Sequence, residues 1–204
     1  MEMRRRRFRI LARLAWIAAG LEAIGCPDSG PPRTGLETAA PLAIPGTGAA
    51  ADEARYAGTY LYAGTDAERA AIRNSVDHAT QGMLGANIAR AELMKRSEIR
   101  PSYTIRFDGL GKVIVETAGF PPESSPLDGT EVQFTNKYGD VLQNRQRFVD
   151  GSLLQESRTG DGGGSTRFQL EPDGNTMLVT RVSRSPKLPG TVRYTLTYVR
   201  QRSP

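Results

Sequence analysis

Val141-Leu142-Gln143-Asn144-Arg145-Gln146-Arg147-Phe148-Val149-Asp150-Gly151-Ser152-Leu153-Leu154-Gln155-Glu156-Ser157-Arg158-Thr159-Gly160-Asp161-Gly162 is the stretch that decides the fold class. Two runs, Val141–Val149 and Leu153–Arg158, are separated by Asp150-Gly151 and closed by Asp161-Gly162. Asp-Gly supplies the positive-φ positions of tight hairpin turns, so the stretch predicts an antiparallel pair. The same punctuation returns at Asp128-Gly129, Gly139-Asp140 and Asp173-Gly174, about every 11 residues, which is the spacing of a meander or barrel of short strands. Glu131–Thr135, Thr166–Leu170 and Thr176–Ser183 lie between these turns, and Asp108-Gly109 joins Ser102–Phe107 to Lys112–Ala118.

Working outward, alternation is cleanest in the last strand. Val192, Tyr194, Leu196 and Tyr198 share one face and Arg193, Thr195 and Thr197 the other. A first strand is expected at Tyr56–Ala63, with Tyr56, Tyr60 and Tyr62 on one side. Thr65-Asp66-Ala67-Glu68 then has the form of a capping box, and Ile72, Val76, Ala79 and Met83 make a helical stripe. Gly82 and Gly85 interrupt it before a second helix over Ala86–Ser97, with Ile88 and Ala91 facing inward and Pro101 stopping further extension. The expected fold is mainly β: an antiparallel meander closing to a barrel or half-barrel, with a helix–turn–helix after the first strand.

That order of elements, over about Tyr56 to Arg200, resembles the fatty-acid-binding proteins and, more loosely, the lipocalins, both of the calycin group. The resemblance implies a barrel with an internal ligand cavity. It does not extend to motif. The last strand has no Arg-x-Tyr; Tyr198 and Arg200 share a face in the reverse order, and Gly58-Thr59-Tyr60 stands where lipocalins carry Gly-x-Trp.

The N-terminus reads differently. Arg4, Arg5, Arg6, Arg7, Arg9 and Arg13 precede a short apolar run from Leu14 to Leu21, too short to span a membrane, where roughly 20 residues are needed. A basic segment followed by a short apolar one is the pattern of a secretory signal, expected over residues 1–25. Ala23-Ile24-Gly25-Cys26 resembles the lipobox of bacterial lipoproteins, with Ala23 in place of the usual leucine. The resemblance implies acylation of Cys26; the alternative is ordinary cleavage after Gly25. Residues 26–51, rich in Pro, Gly, Ala and Thr, are expected to be a flexible tether, with the β domain over 52–201.

The net charge of +5 would suggest a nucleic-acid partner, but residues 1–25 hold six arginines against two glutamates, leaving only +1 for the rest. No nucleic-acid partner is expected. Cys26 is the only cysteine and His78 the only histidine, which removes disulfides and leaves most metal sites and hydrolase triads without parts. No metal, cofactor or catalytic residue is expected, and His78 is expected to be a plain exposed helix residue. Gly162-Gly163-Gly164 lacks the Lys-Ser/Thr and helix of a phosphate loop and is expected to be a loose hairpin loop.

In Val141–Val149, polar groups occupy both faces, with Gln143, Arg145 and Arg147 on one and Asn144 and Gln146 on the other. Arg145, Arg147 and Arg181, with Tyr194, are therefore the candidate ligand-binding residues. An inward guanidinium needs an anionic partner, since an unpaired buried charge is very costly; on the outer face the same arginines would simply be solvated. The expected protein is a non-enzymatic, exported envelope lipoprotein, held to a membrane by its N-terminal lipid, whose barrel binds a small apolar or amphipathic ligand. The other reading is a structural or interaction lipoprotein with a filled core and a protein partner. A cavity separates the two.

Overall fold

The computed structural model describes residues 47–202. The expected signal segment, Cys26 and residues 26–46 of the expected tether lie outside the described residues. The element order is α1 Thr47–Tyr56, β1 Gly58–Tyr62, α2 Asp66–Ala79, α3 Ala86–Arg96, β2 Ser102–Phe107, β3 Lys112–Thr117, β4 Glu123–Pro126, β5 Val132–Thr135, β6 Val141–Val149, β7 Ser152–Thr159, β8 Gly162–Leu170, β9 Thr176–Arg184 and β10 Val192–Arg200. The strands form one antiparallel sheet in the order β4-β3-β2-β1-β10-β9-β8-β7-β6-β5, a nearly closed barrel.

Register follows from alternation. Tyr194, Leu196 and Tyr198 of β10 stand opposite Arg181, Val179 and Met177 of β9, and Val179 stands opposite Phe168 of β8. These residues point inward. At the end carrying the β6–β7 and β8–β9 turns they meet Tyr56, Tyr60, Ile105, Val113 and Leu153 in a packed core. Each large apolar side chain buried there contributes about 1.5–3 kcal/mol.

Tyr56 departs from expectation. It ends α1 instead of opening a strand, and α1 begins inside the segment read as tether. Its hydroxyl donates to Gly151 O at 2.8 Å and accepts from Leu170 N at 3.1 Å, while its ring meets Phe148 edge-on at 5.4 Å. Tyr56 thus joins α1 to the packed end of the barrel.

The expected capping box does not form. Thr65 sits at the N-cap of α2 without a side-chain bond, and Glu68 instead accepts from Thr197 N at 3.2 Å and Thr197 Oγ1 at 2.7 Å. The reason lies in the sheet. β1 pairs only with Tyr198–Arg200 of β10, so the preceding backbone of β10 is an open edge. Glu68 and Ser75, which accepts from Arg193 N at 2.7 Å, cover that edge from α2. In α3, Ile88 (80 % exposed) and Ala91 face solvent, contrary to expectation; Leu93 and Met94 pack on the core instead.

Two further differences concern the sheet. β4, flanked by Pro121-Pro122 and ending at Pro126, was not expected, and it supplies one edge of the sheet. Gly162-Gly163-Gly164 is not a loop but the first third of β8; the turn is the preceding Gly160-Asp161. Between β4 and β6 there is no ladder. The seam is held by side chains: Ser125 Oγ donates to Gln146 Oε1 at 2.9 Å, Asn144 Nδ2 donates to Glu123 Oε2 at 3.1 Å, and one isolated bridge joins Asp128 and Arg147.

Candidate ligand cavity

The half of the barrel away from Tyr56 is not filled. A cavity of about 1090 Å3 opens among α3, the β5–β6 and β7–β8 turns and the loop after β9. Pockets that enclose small molecules run to roughly 1,000 Å3, so this space is large enough for one. Leu93, Phe120, Phe134 and Leu142 give its wall apolar surface.

Other parts of the wall are polar because the strands turn unusual residues inward. Gln155 of β7 pairs with Gln146 of β6 and Thr166 of β8, and Thr166 pairs with Arg181 of β9. All four share the inner face with Leu153 and Phe168. Asn144 and Gln146 are fully buried, so β6 presents its amide face to the interior.

This register decides the candidate arginines. Arg145 and Arg147 lie on the outer face, where their guanidinium groups share the carboxylate of Glu156 at 2.9 and 3.0 Å with over a third of each side chain exposed. Both are corrected: neither enters the cavity. Arg181 does line it. Tyr194 points inward beside Arg181 but is buried behind the wall, its hydroxyl donating to Ser97 O at 3.5 Å. His78 is exposed on α2, as expected.

Two lining residues were missed by sequence reasoning. Arg100, between α3 and β2, is 6 % exposed, with its guanidinium carbon 3.4 Å from the centre of the Phe120 ring. Its nearest carboxylate oxygen belongs to Glu98, at 3.7 Å on a largely exposed side chain. Burial, and after it the charge of Arg181, pull Arg100 below its ordinary pKa, although an arginine keeps its proton. Arg181 makes no ion pair among the described residues, and Nη1 of each arginine is sealed from solvent without an acceptor.

Glu123 of β4 is the second. Its carboxylate accepts from Asn144 Nδ2 and from Gln155 Nε2. Burial pushes its pKa up to about 7, against the opposing pull of Arg181, the Gln155 bond and Arg100. Burial thus brings the titration of this carboxyl close to neutral pH, and it forms no ion pair with either arginine among the described residues. The only sequence cues were a charge beside proline in Arg100-Pro101 and in Pro122-Glu123.

No protein-family model matches this sequence, and no curated protein does. Among solved structures, the chain is similar to a REP1-NXSQ fatty acid transporter, with a TM-score of 0.48 and 14 % identity over 74 % of this chain and 99 % of that one. It is similar to Echinococcus granulosus fatty-acid-binding protein 1, with a TM-score of 0.48 and 14 % identity over 73 % and 99 %. For apo Caenorhabditis elegans lipid binding protein 8 the TM-score is 0.49, with 12 % identity over 72 % and 96 %. The fold of this chain is read from its own sheet: ten antiparallel strands in a nearly closed barrel, with a helix pair after the first strand.

Proposed function

We propose that this chain is an exported envelope protein whose barrel binds a small amphipathic organic anion, its charged end on Arg100 and Arg181 and its apolar part against Leu93, Phe120 and Phe134. One observation carries the ligand reading: Arg100, buried, and Arg181, partly buried, line one open cavity, and neither side chain donates to a protein acceptor among the described residues. A buried cation is tolerated when an anion pairs with it. A core filled throughout, as a purely structural role would require, is at odds with that cavity. The reading is of a binding protein and not an enzyme, and the exposure of the one histidine on α2 supports it.

Export rests on the arginine-rich start and the apolar run Leu14–Leu21, and lipid anchoring on Ala23-Ile24-Gly25-Cys26. Several acyl chains on Cys26 would hold the domain stably at a membrane surface, where a single chain would not.

Native mass spectrometry of the chain expressed in a bacterium tests the binding function. Retention of a small anionic molecule by the wild type, and its loss in Arg181→Met, is the expected result. A wild-type chain that carries no such molecule and takes none from an envelope lipid extract would sink the proposal. In the same spectra, a diacylglycerol adduct on Cys26 supports the anchor, and an unmodified cysteine refutes it.

A further inference from the structure

We infer that the head group this cavity accepts is a phosphate or phosphonate monoester, a dianion with three terminal oxygens, and not a monocarboxylate; the inference rests on the ligand-binding reading above. Arg100 and Arg181 both line the cavity. The charge of Arg181 is felt at Arg100, where after burial it is the main influence holding the pKa down. A guanidinium offers five N–H donors in a fixed fork. Among the described residues, neither side chain donates a hydrogen bond to any acceptor. Arg100 has only the loose 3.7 Å approach of Glu98, a carboxylate that Lys137 also contacts at 3.5 Å.

The acid of the chamber does not meet this demand. Glu123 takes both Asn144 and Gln155 on its Oε2, and it makes no hydrogen bond or ion pair with either arginine among the described residues. Both arginines thus line the cavity without a protein acceptor, one nitrogen of each fork sealed behind the wall and the other donors left for a guest. A carboxylate can bridge two guanidiniums, as Glu156 does Arg145 and Arg147, but it brings only one negative charge against two positive ones. A phosphate monoester has three terminal oxygens and nearly two negative charges at neutral pH, enough to serve both. Thr166, which pairs with Arg181 and also lines the cavity, adds a hydroxyl donor.

Calorimetric titration of the full chain at neutral pH separates the possibilities, using decyl phosphate, decanoate, decanol and inorganic phosphate as probes. The expected result is decyl phosphate binding roughly tenfold or more tighter than decanoate, as a second negative charge set against two guanidiniums implies. Arg100→Met and Arg181→Met should each erode that preference toward unity. The ratio measured on the wild type stands by itself if either variant fails to fold. Decanoate or decanol binding as tightly as decyl phosphate would overturn the head-group inference while leaving the ligand-binding function intact. If no probe binds, both fall. Inorganic phosphate binding as tightly as decyl phosphate would support the head group and identify a soluble phosphate ester, not a lipid-like one, as its source.

Discussion

Replacing Glu123 by Gln should change how the stability of this barrel depends on pH. In the folded chain burial raises this carboxyl from the usual 4.5 to about 7. Between those values the native state keeps a proton that the unfolded chain releases, so stability falls as pH rises through that window and levels off above about pH 7. At 1.36 kcal/mol per pH unit, the burial of Glu123 takes about 3 kcal/mol from the folded state by pH 8, relative to pH 4.5. Glutamine keeps an oxygen to accept from Asn144 and Gln155 but has no proton to lose. Urea unfolding followed by far-ultraviolet circular dichroism from pH 5 to pH 8 measures the difference. The wild type should weaken relative to Glu123→Gln as pH rises, and the two should converge toward the acid end. Parallel curves across the range would refute the assignment of Glu123 as a buried, proton-holding acid.

Three further outcomes follow from other contacts. Tyr56→Phe removes a hydroxyl that bridges Gly151 O and Leu170 N, leaving a buried N–H without an acceptor; a loss of about 1–3 kcal/mol is expected in the same denaturation assay. Gly164→Ala places a Cβ 2.4 Å from the backbone oxygen of Val182, and should destabilise by about 1–3 kcal/mol, read as a lowered melting temperature. Arg145→Ala combined with Arg147→Ala removes only outer-face pairs with Glu156, so affinity for decyl phosphate in the calorimetric titration should be unchanged. A large loss there would mean that the register of β6 is wrong.

The hairpins were legible because each turn has its own local chemistry. Asp150 adopts φ 50° and Gly151 φ 67°, the geometry that Asp-Gly encodes, and β6, β2 and β10 occupy the residues their patterns mark out. β4 was hidden because four residues bounded by prolines, with two serines at the centre, show neither alternation nor β-branched composition. The face of β6 was undecidable from pattern. Leu142 and Phe148 mark one side as apolar and Val141 and Val149 mark the other, and only pairing across to Leu153 and Phe168 turns Asn144 and Gln146 inward.

Arg181 could be named from sequence because it continues the Met177–Val179 face. Arg100 and Glu123 could not, since neither sits on a strand or helix that the pattern announces. Glu68 shows the opposite failure. Its local signal was strong, but an open edge of β10 competed for the same carboxylate and won.

The seam between β4 and β6 gives the barrel a slit where a cylinder would ordinarily be welded. Opening a backbone ladder breaks a row of bonds together, whereas parting this slit takes only a few side-chain fasteners and one bridge. Glu123 is one of those fasteners and also forms part of the chamber wall. One carboxylate is therefore both clasp and lining, and a substitution there alters the seam and the chamber together.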